Sequence, residues 1–340
     1  MTATTLVTGA SGFLGGRLAE RLLEQGRRVR LLARGSSDLS LLAGRGVEIV
    51  RCELTDAAGL GRALRGIEVV YNCAGRSADW GPWADFRLAN ITGVQALLEA
   101  ARAAGAVRRF VHVSTTDVYG YPAEACDEAA PIRDVGLPYN RSKAVGDRTA
   151  LAFYRRTGLP VTVIRPATIF GPRSKDWSLE IARLLAQRAL VTVDGCRTRA
   201  GLVYVDDLID AMVELAASDA AIGEAYNVRD PSDITWRSYF DALADGLGVR
   251  RARWDLPVGV ALRLGRWSEV AYKLARASSR PLVTRHAVLV LSRDQGYSID
   301  KIRRQIGFTP AVGVDEGIRR SLAWLTSAEG AAALRGRSLV

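Results

Sequence analysis

Residues 4–34 read TTLVTGASGFLGGRLAERLLEQGRRVRLLAR. The apolar run TTLVT predicts a strand, the segment from Phe13 has helical spacing, and RVRLLAR predicts a second strand. Between the first two lies a turn with glycines at 9, 12 and 15. Strand, glycine turn, helix and strand make one βαβ unit, and the alternation continues. VEIVRCEL, EVVYNCAG, RRFVHVST and VTVIRPA follow, separated by periodic segments of helical length. Continuous apolar runs of this kind suit strands buried on both faces. The prediction is an α/β fold, a doubly wound parallel sheet with helices on both sides.

Past residue 170 the alternation loosens, which divides the chain. Residues 1–170 are expected to form a dinucleotide-binding Rossmann domain, and residues 171–328 a mainly substrate-binding region with some returning Rossmann elements. Residues 329–340, rich in small residues, are expected to fray. Segment 256–277 has an apolar helical face containing Leu262, Trp267, Val270 and Leu274. That face suits a core wall, a lid over an apolar substrate, or a contact with a membrane surface.

The glycine turn carries the first chemical signal. A turn after the first strand must bend tightly, let a pyrophosphate approach backbone N–H groups, and pack the helix on the sheet, so each glycine answers a steric demand. Gly9, Ser11, Gly12, Phe13, Leu14 and Gly15 are therefore candidate dinucleotide contacts. At the end of the second strand stand Arg34, Ser36 and Ser37, with no acid at 32–36. An acid there holds a ribose 2′-hydroxyl, whereas an arginine fork and hydroxyls match a 2′-phosphate. NADP is thus expected over NAD, with NAD kept open. Glu53 and Leu54 close the third strand near the adenine, and Asn72, Cys73, Ala74 and Gly75 close the fourth, where small residues let the cofactor pass. Cys73 suits packing better than reactivity.

The second signal is Tyr139, Asn140, Arg141, Ser142, Lys143, a YxxxK pattern that places Tyr139 and Lys143 on one helix face. A phenol is a poor base at neutral pH, and a lysine ammonium one turn away is expected to lower its pKa. Upstream, the strand VHVST ends in hydroxyls, Thr115 and Thr116, able to polarise the same substrate oxygen.

TGASGFLG, VSTTDVYG, YNRSK, RPATIFGP and YVDDL, in this order, resemble the signature stretches of the extended short-chain dehydrogenase/reductase family. The resemblance spans about residues 4–325 and implies a catalytic set of Thr115, Tyr139 and Lys143. It also implies that Ser114 meets the nicotinamide through its backbone, and that Asn90 sits on the central helix, where packing is an equal alternative. Arg165 and Pro166, with Ile169 beyond, correspond to the turn near the carboxamide. Two departures stand out: Glu53 occupies a usual aspartate position, and Ala167 and Thr168 replace an asparagine that contacts substrate. The resemblance further implies a homodimer built from helices. The apolar face of Val94, Leu97, Leu98 and Ala101 suits that interface or packing within the chain.

Within the family, sugar-nucleotide epimerases and dehydratases commonly grip a diphosphate with an arginine six residues before the first Asp of YVDD. Here that place is Ala200, with Arg199 one residue out of register. SADWGPWADFRLANITG and RPLVTRHAVLVLSRDQGYSIDKIRRQIGFTP instead look like the branch of 3β-hydroxysteroid dehydrogenase-like and 2-alkyl-3-oxoalkanoate reductase-like enzymes. Bulky apolar substrates follow, with Trp80, Trp83, Trp177 and Trp267, plus Thr116, as candidate pocket residues. The expected activity is hydride transfer between a nicotinamide and a secondary alcohol or ketone. A nucleotide-sugar epimerase or dehydratase and a non-catalytic dinucleotide sensor are the alternatives.

Bulk properties narrow the classes. The net charge of +11 comes with scattered arginines and only four lysines, which reads as a solvated basic surface, not a nucleic-acid interface. Four cysteines without CxxC spacing and two distant histidines give no zinc or disulfide pattern. No apolar run nears the roughly 18 residues of a membrane span. The beginning MTATTLVTG lacks signal-peptide character, so the cytoplasm is the expected location.

Overall fold

The computed structural model describes residues 4–336, apart from 276 and 278. In the N-terminal half, β1 (Thr4–Thr8), α1 (Phe13–Glu24), β2 (Arg28–Ala33), β3 (Glu48–Arg51), α2 (Ala57–Leu64) and β4 (Val69–Asn72) are followed by α3 (Trp83–Arg87) and α4 (Gly93–Ala104). Then come β5 (Arg109–Val113), α5 (Pro138–Thr157), β6 (Val161–Pro166), β7 (Thr168–Phe170), α6 (Ile181–Ala186), β8 (Val191–Val193), β9 (Leu202–Tyr204) and α7 (Val205–Ala217). The chain continues through β10 (Ala225–Val228), α8 (Trp236–Gly246), β11 (Trp254–Leu256), α9 (Val258–Leu274), α10 (Arg285–Ser292), α11 (Asp300–Ile306), α12 (Gly313–Thr326) and α13 (Ala328–Arg335).

Seven strands form the main sheet in the order β10-β6-β5-β4-β1-β2-β3, and every pairing is parallel. This is the expected doubly wound fold. From β1 the chain runs outward to β3, then returns to β4 on the other flank. The two directions part between β1 and β4, and their carboxyl ends frame a crevice, the usual ligand place in such sheets. Leu6, Val7, Val70, Phe110, Val111, Val161 and Val163 are fully buried, as strands covered on both faces require.

The apolar face Val94, Leu97, Leu98 and Ala101 is buried within the chain, against residues such as Leu60, Val70 and Phe110. It is thus consumed by intrachain packing and leaves nothing for a dimer interface. The C-terminal segment departs from expectation as well. Residues Ala328–Arg335 form α13, because Ser327 caps Gly330 N–H and the Arg183 guanidinium donates to the carbonyls of Ala333 and Gly336 at the helix end. Residues 337–340 lie outside the described residues. Among those described, no helix is long and apolar enough to cross a membrane, the cysteines are free, and no cluster of His, Cys, Asp or Glu is placed to hold a metal ion.

Candidate active site

A cleft of about 2020 Å³ opens over the carboxyl ends of β1, β2, β4 and β5. Its floor is the glycine turn. Gly9 takes a positive φ of 72°, and a Cβ there would sit 2.7 Å from the backbone carbon of Cys73. A Cβ on Gly15 would lie within 2.4 Å of the Gly9 carbonyl, so the turn and α1 touch backbone to backbone. Gly12, at the N-cap of α1, offers no side-chain cap to the first-turn N–H groups. Those donors therefore face the cleft as an anion site, a fit to a dinucleotide pyrophosphate.

Ser11, Phe13, Leu14, Arg34, Ser37, Glu53, Leu54, Cys73, Ala74, Gly75, Ser114, Pro166 and Ile169 line the same cleft. Glu53 and Leu54 lie just beyond β3, which ends at Arg51. Burial pushes the Cys73 thiol up to about 12, which agrees with a packing role. Ser36 does not line the cleft, but Arg51 supplies an unforeseen cation at this corner. Its guanidinium donates to the carbonyls of Arg34 and Gly35 at 2.9 and 3.0 Å. Arg51 thus sets the loop from which Arg34 projects, and among the described residues Arg34 makes no ion pair.

Three predicted contacts are spent inside the protein. Asn72 is buried, accepting from the Thr8 hydroxyl at 2.8 Å and donating to His112 Nδ1 at 3.1 Å, and is not on the cleft wall. Asn90 reaches the wall, but its amide donates to the Arg76 carbonyl and the Ser142 hydroxyl and accepts from Arg76 N–H at 2.8 Å. It ties the loop after β4 to α5, the packing role. Arg165 turns inward to a bidentate pair with Asp147 at 2.8 and 2.9 Å. Buried polar groups must be satisfied, and these three find their partners in the core.

The catalytic candidates converge from β5 and α5. Thr115 follows β5, accepts the Asp117 N–H at 3.2 Å, and stands beside the Tyr139 phenol. Tyr139 lies in the first turn of α5, and Lys143 one turn on donates to the Val113 carbonyl at 2.6 Å. All three line the cleft. The expected lowering of the Tyr139 pKa is not found. Burial, together with the Asp117 charge, raises it, and the Thr115 hydroxyl only partly opposes this. With its ammonium held at Val113, Lys143 is itself brought down from 10.5 to about 8 by burial. Tyr139 is accordingly a phenol at neutral pH, ready to give a proton.

If the Lys143 ammonium is required, its depressed pKa means that the cation is present below about 8 and lost above it. In a kcat/KM profile for the free protein, activity is expected to stay level below about 8 and fall above it. A profile level to pH 10 would remove Lys143 from that role.

One residue beside Tyr139 was not legible in advance. His286, at the start of α10, sits edge-on to Tyr139 with ring centroids 5.7 Å apart, and its Nε2 is 3.0 Å from Asp117 Oδ2. Asp117 Oδ2 also accepts from Tyr121 at 2.9 Å. Burial works against the imidazolium, but the Asp117 hydrogen bond and charge outweigh it and raise the His286 pKa. Only tertiary packing joins His286 to Tyr139, so the lone histidine gave no local signal.

At the substrate end, Thr116, Trp80, Trp83 and Trp177 line the cleft, and Trp177 stacks on buried Trp236 at 4.7 Å. Trp267 does not, for it is 72% exposed on the outside of α9.

The chain matches the NAD dependent epimerase/dehydratase family over residues 5–228. It is 29% identical over 324 residues to a 2-alkyl-3-oxoalkanoate reductase of Stenotrophomonas maltophilia (strain K279a), covering 93% of this chain and 97% of that one. It is 27% identical to a 4-hydroxy-2-methyl-3-oxo-4-farnesyl-3,4-dihydroquinoline-1-oxide ketoreductase of Stigmatella aurantiaca, covering 92% of this chain and 94% of that one. Among solved structures, a double mutant of the dTDP-glucose 4,6-dehydratase DesIV from Streptomyces venezuelae, with NAD and DAU bound, superposes with a TM-score of 0.77 at 26% identity, covering 96% of this chain and 98% of that one. The chain belongs to the NAD dependent epimerase/dehydratase family and is an oxidoreductase of the extended short-chain dehydrogenase/reductase type.

Proposed function

We propose that the protein reduces the ketone of a bulky, apolar substrate to a secondary alcohol, with NADPH as hydride source. The observation that carries this reading is the substrate end of the cleft, where tryptophan and aliphatic walls meet arginines already neutralised. Arg280 is paired with Asp79 at 2.8 Å and Arg285 with Glu269 at 2.9 Å. Arg199, beside the place of the diphosphate-gripping arginine, is held by both Asp294 oxygens at 2.8 and 2.6 Å. At these arginines a diphosphate would have to break such pairs, which leaves it Lys175 and Lys273 in the cleft wall, whereas an apolar ketone leaves every pair intact. The two ketone-reducing relatives point the same way.

The nicotinamide, when bound, supplies hydride to the carbonyl carbon. Thr115 donates a hydrogen bond to the carbonyl oxygen, and Tyr139 gives that oxygen its proton as it becomes an alcohol. Lys143 supports the resulting phenolate from one turn along α5. The high Tyr139 pKa suits this direction, since the proton donor is loaded at neutral pH. Any homodimer would rest on faces other than the buried stripe of α4.

NADPH selectivity rests on Arg34. Substituting Arg34→Ala is expected to weaken NADPH binding about 10- to 100-fold, the value of a charge-assisted hydrogen bond, with little change for NADH. Wild-type protein that prefers NADH, as the NAD in the DesIV structure would suggest by likeness, overturns this part. For the substrate class, thermal midpoints are measured with the cofactor and then with steroid-like ketones, long-chain 3-oxoacids or dTDP-sugars. Stabilisation by the apolar ketones alone is expected, and stabilisation by the dTDP-sugars alone favours the nucleotide-sugar alternative.

A further inference from the structure

The outer face of α9 has no partner among the described residues. Val260, Leu264, Trp267 and Leu274 are 41, 47, 72 and 81% exposed, and their spacing of four, three and seven residues places them in one stripe. Such a stripe would be costly in water on an ordinary soluble surface, where apolar residues occur singly. Arg263, Arg266 and Lys273 are exposed on the same helix. The one acid in α9, Glu269, is buried and committed to Arg285. The exposed face is therefore apolar and cationic with no acid.

We propose that α9 docks this protein on the surface of a bilayer containing anionic phospholipid, lying in the interfacial plane with Trp267 and Leu274 among the acyl chains and Arg263 and Arg266 at the headgroups. The charge pattern selects this occupant: a second copy of this basic chain would bring cations against cations, while an anionic leaflet answers them. The opposite face of the helix gives the contact a purpose. Ala261, Glu269, Tyr272 and Lys273 line the substrate cleft, Lys273 over the Trp80 ring, as does exposed Leu282 on the loop after α9. One helix thus separates the bilayer surface from the pocket, and an apolar substrate dissolved in lipid would reach the cleft at its mouth. The docking itself does not depend on the substrate assignment.

The test is flotation of the full chain with vesicles of phosphatidylcholine alone or of phosphatidylcholine and phosphatidylglycerol in equal parts. Binding to the anionic vesicles is expected to be about thirtyfold stronger, from two cations near the surface, and to weaken at high salt. The double variant Trp267→Glu/Leu274→Glu, outside the cleft, is expected to lose more than about tenfold in binding with an unchanged thermal midpoint. The pair Arg263→Glu/Arg266→Glu gives an independent reading and is expected to abolish the preference for anionic lipid. No flotation with anionic vesicles, or flotation unaffected in both double variants, overturns the proposal. So does concentration-dependent dimerisation that Trp267→Glu/Leu274→Glu abolishes, which would assign the face to a second copy.

Discussion

Tyr139→Phe is expected to lower the rate of ketone reduction by about 10²- to 10⁴-fold, the usual contribution of a positioned acid or base. Phenylalanine keeps the ring that packs against His286 and removes only the hydroxyl. Cofactor binding, read by nicotinamide fluorescence, is expected to change little, because the glycine turn and Arg34 are untouched. The loss should fall on kcat and kcat/KM together, the mark of a group that acts in the transition state. A variant that keeps more than about a tenth of the rate would remove Tyr139 as proton donor.

The second large effect concerns stability. Asp147 and Arg165 are both buried, joined by two hydrogen bonds at 2.8 and 2.9 Å. Arg165 also donates to the Tyr119 hydroxyl at 2.9 Å, which donates in turn to Asn227 at 2.7 Å. The network ties α5 to β6 and β10 through the segment after β5. Asp147→Ala leaves a guanidinium stranded in the core and is expected to cost about 3–5 kcal/mol in urea unfolding. The double variant Asp147→Leu/Arg165→Met, which removes both charges, is expected to recover most of that. A loss below about 1 kcal/mol for the single variant would mean that water reaches the pair.

These residues show where sequence reading reached its limit. Apolar runs and a glycine turn dictate the parallel sheet, because a strand buried on both faces has few alternatives and Gly9 and Gly15 admit no Cβ. Tyr139 and Lys143 were legible because local geometry places them on one helix turn, and Thr115 and Thr116 as hydroxyls at a strand end, with Thr115 singled out only by the family resemblance. Asn72, read as a cofactor contact, turns into the core for the opposite reason, Asn90 takes the packing alternative, and Arg165 pairs inward beside the turn it begins. A residue's type states what it can bond, not which partner it meets, and these three are satisfied inside the protein. Asp117–His286 and Arg51 were missed because their partners come together only in the folded chain. For α9 the periodicity revealed an apolar stripe, and only the fold shows that the stripe of Trp267 and Leu274 faces outward.

The most direct test is to mix wild-type protein with NADPH and, in turn, a long-chain 2-alkyl-3-oxoacid, a steroid-like ketone and dTDP-glucose, following nicotinamide absorbance and identifying the product. The account predicts NADPH consumption matched by a secondary alcohol from an apolar ketone, absent in Tyr139→Phe. Inertness toward every ketone, with conversion of dTDP-glucose in the presence of NAD, would contradict it.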